Sequence, residues 1–140
     1  MYKQISITVI CFMLFGIHSS AQHFRFNEAI KNPSGAIADI IQDKQGILWF
    51  AAFEKGLIRY DGVNTKKYMN DSRNPNSIAT NPAIRVFADK DNFIWIGTLG
   101  SGLERFDPAT NIFTHFRHDP KVAASIGGDT ITSILEDRSG

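Results

Sequence analysis

Cysteine is all but missing from this sequence: its one copy, Cys11, lies inside an apolar run near the N-terminus. Beyond that run there is no thiol for a disulfide, a nucleophile or a cysteine-ligated metal. An excess of charge of either sign is missing as well. The 140 residues carry 15 Lys+Arg against 14 Asp+Glu with no basic stripe, so the phosphate attraction that drives nucleic-acid binding has no footprint. The longest apolar stretch, Ile5 to Ile17, is 13 residues, short of the roughly 20 that a stable membrane helix needs. After residue 21 no segment shows a convincing apolar stripe at helical spacing, which removes the helical fold classes and the crossover helices of a parallel sheet.

The apolar run near the N-terminus reads as an export signal spanning 1–21. Lys3 marks a short charged start, and Ser19 and Ala21 are placed as the small residues before a cleavage at Gln22. Cys11 follows Val9 and Ile10 in mid-run, where no lipid-attachment site occurs. Lys3 is the only charged residue of this leader, so its removal leaves 14 basic against 14 acidic residues. The mature segment is expected to be exported and soluble, without direct membrane contact.

What the sequence does have is a repeat, the first thing to test for in any chain. Asp43 and Asp89, Trp49 and Trp95, Gly56-Leu57 and Gly102-Leu103, and Arg59 and Arg105 all recur at a spacing of 46. Past Asn64 the spacing grows to 48, pairing Tyr68 with Phe116, Asp71 with Asp119, Ser77-Ile78 with Ser125-Ile126, and Asp89 with Asp137. The first repeat spans 37–82, the second 83–130, and 131–140 reads as the truncated start of a third. A leading strand or linker, 22–36, contains "HFRF" (His23 to Phe26), which is similar to "THFR" (Thr114 to Arg117) and is placed to supply the outer strand of a ring-closing blade.

Each repeat reads as four short strands rich in Ile, Val, Phe, Tyr, Trp and Thr. The turns between the first two, "DKQG" and "DKDN", pair an Asp that can bond the backbone ahead with a Gly46 or Asn92 suited to a left-handed conformation. Strands "ILWFAA" and "FIWIGT" do not alternate apolar with polar, so both their faces must be covered. Without helices, the remaining solution stacks sheet on sheet around an axis. The fold class is therefore all-β, with β-propeller blades as four-stranded antiparallel sheets: about two blades plus the start of a third. Two blades and a fraction leave sheet faces wet, so the isolated segment is expected to be marginally stable or aggregation-prone.

Signals for chemistry are weak. "GTLGSG" (Gly97 to Gly102) lacks the Lys-Ser/Thr and the following helix of a phosphate loop, and reads as a turn. His115, His118 and Asp119 hint at a metal, yet strand positions three apart point to opposite faces, which leaves exposed side chains as the better reading. The start of a calcium loop at Asp89 to Asn92 fails, since Ile94 stands where glycine is needed and Gly100 where a bidentate Glu is needed. No nucleophile elbow and no histidine shared by the repeats are present, so no catalytic residue, metal or cofactor is assigned and this chain is not read as an enzyme. Trp49 and Trp95 could stack on sugars, but mid-strand placement favours packing between blades. Ligand contacts are instead expected on loops between second and third strands, at Phe53, Glu54, Lys55, Leu99 and Ser101, where the repeats differ.

An Asp turn with Gly, then "LWF" or "IWIGT", then "GL", Arg, an aromatic and Asp resembles the two-component regulator propeller repeat. The signature residues are Asp43, Gly46, Trp49, Gly56, Leu57, Arg59, Asp89, Trp95, Gly102, Leu103, Arg105 and Asp137; "AAF" at Ala51 to Phe53 departs from the second repeat's "GTL". The resemblance implies the N-terminal extracytoplasmic sensor region of a Bacteroidetes-type hybrid two-component histidine kinase, on the periplasmic side of the inner membrane. It further implies an oligosaccharide ligand, and as partners the remaining blades and the kinase of a longer parent, with a homodimer left open. A secreted or surface binding propeller without signalling is the alternative, and a propeller lyase or hydrolase a more remote one. The DNA beyond codon 140 separates them.

Overall fold

The computed structural model describes residues 36–137. The expected leader with Cys11, the strand expected at His23 to Phe26 and the third repeat's turn at Gly140 lie outside the described residues. Eight strands fall in two groups of four: β1 (Ile37–Gln42), β2 (Leu48–Ala52), β3 (Gly56–Tyr60) and β4 (Thr65–Tyr68), then β5 (Ala83–Ala88), β6 (Ile94–Thr98), β7 (Leu103–Asp107) and β8 (Ile112–Phe116). Each group is an antiparallel meander with neighbours in chain order, β1-β2-β3-β4 and β5-β6-β7-β8. Both are propeller blades, and no helix occurs among the described residues.

The repeat signature is the hardware of the first hairpin. Asp43 takes hydrogen bonds on Oδ1 from the backbone N–H of Gln45 (2.9 Å) and Ile47 (3.0 Å), while its Oδ2 accepts from the Trp49 indole at 2.8 Å. Asp89 does the same with Asp91, Phe93 and Trp95, at 2.9, 2.9 and 2.7 Å. The six-residue spacing from Asp to Trp is therefore set by one carboxylate closing the turn with one oxygen and fixing an indole with the other. Gly46 (φ 83°) and Asn92 (φ 72°) supply the left-handed step. At the other recurring glycines, a Cβ on Gly56 would collide with the carbonyl oxygen of Tyr68, and one on Gly102 with that of Phe116, because β4 and β8 pass directly over them.

Both blades have a register shift in the same place, between Ile37 and Asp39 and between Ala83 and Arg85. The bulge turns these two side chains toward the next inner strand. Asp39 Oδ2 accepts from the Val86 N–H at 3.1 Å, and Arg85 Nε donates to the Thr132 carbonyl at 2.7 Å. β1 and β5 thus lie side by side at the inner edge. At the outer edge Lys66 Nζ donates to Asn111 Oδ1 at 2.9 Å.

Between the blades lies a shared apolar core. Trp49, Ala51, Leu57 and Ile78 from the first repeat meet Ala83, Val86, Ile94, Ile96, Phe106 and Phe113 from the second. Covering both faces of β2 explains its unbroken apolar sequence: Trp49 and Ala51 join this core, while Phe50 and Ala52 bury themselves with Ile58 on the opposite face. Trp95 differs from its counterpart. It stacks on Phe116 (5.6 Å, 29°) as Trp49 stacks on Tyr68 (6.3 Å, 30°), but it is only half-buried, because among the described residues no aromatic ring approaches it as Phe106 approaches Trp49.

Residues 131–137 form no ladder. They continue from an isolated antiparallel bridge between Leu99 and Thr130, held by the Ile131 N–H on the Thr98 carbonyl at 3.1 Å. No helix among the described residues is long and apolar enough to cross a membrane.

Candidate functional site

The connector between the blades, residues 70–82, is built from polar side chains that bond its own backbone. Asp71 and Ser77 form a reciprocal pair: the Asp71 N–H donates to Ser77 Oγ at 3.0 Å, and Ser77 Oγ donates back to the Asp71 carbonyl at 3.0 Å. Asp119 and Ser125 repeat it at 3.0 and 2.9 Å. Asn70 Nδ2 donates to the Ile78 carbonyl at 2.9 Å, and Asn81 Oδ1 accepts from the Asn70 N–H at 2.8 Å. Such segments hold a fixed shape without a ladder.

These connectors and the β2–β3 and β6–β7 turns share one end of the blades. The Asn81 carbonyl accepts from the Gly56 N–H at 3.1 Å, and the Asp129 carbonyl accepts from the N–H groups of Gly100 (3.0 Å) and Gly102 (2.8 Å). Phe53 and Leu99 hold equivalent places there, their N–H groups donating to the carbonyls of Ala36 (2.9 Å) and Pro82 (3.0 Å). Their side chains are 41% and 46% exposed. Glu54 is exposed beside Phe53, with Lys55 partly buried after it, and Ser101 lies partly buried in the second turn, its N–H on Thr98 Oγ1 at 3.1 Å. The five residues singled out from the sequence therefore lie on corresponding turns at one end, each blade presenting one exposed apolar side chain with polar neighbours.

The histidines do separate jobs. His118 is a connector residue, its Nδ1 against the Ile126 carbonyl at 2.8 Å and its N–H donating to Asp129 Oδ1 at 2.8 Å, the role Asn70 has in the first repeat. Asp119 Oδ1 accepts from the Lys121 N–H at 2.9 Å. His115 is more than the exposed side chain expected from the sequence: its Nδ1 is 2.5 Å from Oε2 of Glu104, which is fully buried. Burial holds the Glu104 carboxyl above its ordinary 4.5, with the hydrogen bond and charge of His115 pulling the other way. Glu104 was not foreseen, although one signal pointed to it: the aligned position in the first repeat is Ile58.

The remaining signature residues are structural. Leu57 is fully buried, Arg59 pairs with Asp61 at 3.0 Å, and the Arg105 guanidinium lies over the rings of Phe93 (4.7 Å) and Trp95 (5.8 Å). Leu103, like Asp107, is partly buried on β7.

No protein-family model matches the chain, and no curated protein matches it. Among solved structures, the extracellular domain of BT3049 from B. thetaiotaomicron, assigned as a hybrid two component system, superposes with a TM-score of 0.66. The two share 31% sequence identity over 75% of this chain, which spans only 14% of that domain's length. The extracellular domain of BT4673 from the same organism, assigned as a one component system, is a much more distant match, with a TM-score of 0.35 and 16% identity over 75% of this chain and 24% of that one. In sequence and in fold together, the two propeller blades are similar to one stretch of the extracellular domain of a Bacteroides hybrid two component system.

Proposed function

We propose that this chain is part of the extracytoplasmic, ligand-sensing propeller of a two-component sensor, and that its ligand is an oligosaccharide. The observation that carries the sensing role is the 31% identity, at a TM-score of 0.66, to the extracellular domain of BT3049. The two turns bearing Phe53, Glu54, Lys55, Leu99 and Ser101 support the ligand class, since exposed apolar side chains beside polar ones suit the mixed faces of a sugar. The two blades hold those turns, so a ligand bridging them would favour one angle between the blades over another. Binding acts as a signal only through different affinities for two such arrangements. The parent would be exported and would carry its kinase elsewhere in the chain.

Two measurements test this. Reading the frame beyond codon 140 should reveal further blades, a membrane span and a kinase; a stop after further blades with no span favours the secreted binding propeller. Titration calorimetry of the folded chain against a panel of plant and host oligosaccharides should find a binder whose affinity drops about tenfold or more in Phe53→Ala and Leu99→Ala. A folded chain that binds none of them removes the ligand assignment and leaves the frame test standing.

A further inference from the structure

Glu104 and His115 form a part-buried polar pair of the second blade with no counterpart in the first, where Ile58 and Lys67 hold the aligned places. Glu104 lies on β7 directly across from His115 on β8, on the same face as Phe106, the face turned toward the first blade. Its Oε2 is 2.5 Å from His115 Nδ1. Its Oε1 is buried and makes no hydrogen bond of ordinary geometry, although the Ala79 N–H favours its charge. On the far side of the ring, His115 Nε2 is 3.0 Å from the carbonyl oxygen of Pro75, in the middle of the connector.

These contacts fix a proton count. A carbonyl oxygen only accepts, so Nε2 must carry a hydrogen. Nδ1 and Oε2 at their separation also need one hydrogen between them. A carboxylate beside a neutral imidazole has one hydrogen too few: one ring nitrogen then turns a lone pair either on the carboxylate or on the Pro75 carbonyl. The extra proton sits on the ring as imidazolium or on the carboxyl as a neutral acid, and either arrangement satisfies all three atoms. When it leaves to solvent, one of the two contacts fails.

We propose that Glu104 and His115 are a proton-operated clasp that fastens the first repeat's connector, through Pro75, to the outer half of the second blade. With its extra proton the clasp is closed; as pH rises and that proton is lost, the connector is released around Pro75 and Asn76. On the facing connector the charged side chains Asp71 and Arg73 pair with each other at 3.3 Å. Besides each other, Glu104 and His115 feel Arg117, just past β8, whose positive charge favours the Glu104 carboxylate; β6 presents Ile96 opposite Glu104, and the connector presents backbone at Pro75 and Ala79. Since Asn81 of the same connector carries Gly56, release would reach the turn that bears Phe53.

Phe113 reports the state of the clasp, because its N–H donates to the Asn76 carbonyl at 3.2 Å. In the full chain, amide hydrogen exchange corrected for intrinsic rate should show the Phe113 protection falling about tenfold or more between about pH 5 and about pH 8. Nitrogen NMR of the His115 ring should place a hydrogen on Nε2 while the clasp is closed. The response should vanish in His115→Gln and in Glu104→Ile, which installs the residue that the first blade already accommodates. Phe113 protection that stays flat across that interval overturns the proposal, as does an unchanged response in either folded variant. The wild-type comparison decides the matter even where a variant does not fold.

Discussion

Trp49 of the first blade and Phe106 of the second meet edge to face, with ring centroids 5.8 Å apart, and between them they close the interface of the two sheets. Phe106 also lies 4.6 Å from both Tyr68 and Phe113, so it is the hub of an aromatic cluster drawn from both repeats. Phe106→Ala should cost about 3–5 kcal/mol, the range for truncating a buried aromatic ring. Urea unfolding followed by tryptophan fluorescence measures it. A loss under about 1 kcal/mol would mean that the blades are held by their edges and not by this core.

Asp43 serves three donors at once, two backbone N–H groups and an indole. Asp43→Ala should lower stability by about 2–3 kcal/mol, because the buried indole N–H and two part-buried backbone N–H groups lose their shared acceptor. Asp43→Asn should fall in between, since its amide can accept on one side but sets an NH2 against the indole N–H. The same change at Asp89 should cost less, as that side chain and Trp95 are only partly buried. Thermal melts of the variants order them, and equal losses at the two sites would mean that burial does not set the cost.

Gly102 and Gly100 share a left-handed backbone, at φ 83° and 89°, yet differ in surroundings. Around Gly100 nothing stands within 4 Å of a Cβ, whereas at Gly102 the Phe116 carbonyl occupies that space. Gly100→Ala should therefore cost about 1 kcal/mol for backbone strain alone. Gly102→Ala should cost several-fold more by forcing β8 away from β7, seen as a lower midpoint and faster amide exchange on β8. Similar losses at both would show that β8 yields freely.

The pH dependence of stability should carry two opposite slopes. Hydrogen bonds from the N–H groups of Asn64 and Val63, and then Arg59, pull the Asp61 carboxyl from 3.8 down to about 2. A depressed carboxylate stabilises the fold above its unfolded value, so this contribution is present above about 3.8 and disappears as pH falls through about 2. Asp107, in the matching turn, is lowered in the same way, first by Thr110. Glu104 has the reverse sign: burial raises it above 4.5, so the folded state keeps a proton that the unfolded chain releases and stability declines as pH climbs past that value. Acid titrations of Asp61→Ala against wild type should converge toward about pH 2, while Glu104→Ile should flatten the slope above about 4.5. Curves that stay parallel would count against both assignments.

Much of this was legible in the residues. The interval from Asp43 to Trp49, repeated at Asp89 and Trp95, marks a local device within one hairpin, and local geometry is what sequence spacing encodes well. The unbroken apolar run of β2 announced two covered faces, and with helices excluded that left blade against blade. The reciprocal bonds of Asp71 with Ser77 and of Asp119 with Ser125 account for a second set of recurring residues in the connectors.

Only the tertiary structure decided which residues from distant parts of the chain would meet. Glu104 occupies a position that reads as one more polar residue in a strand, and its burial follows from the first repeat's connector lying over β8. His115 is bound up with that same contact, forty residues from Pro75, where no spacing rule reaches. Trp49 and Trp95 hold the same place in the repeat, yet one is buried and the other half-exposed, because burial depends on what the neighbouring sheet places against an indole and not on the strand that carries it. The sequence thus determined each blade from within, through turn chemistry and strand patterning; the pairing of blade with blade belonged to packing in three dimensions.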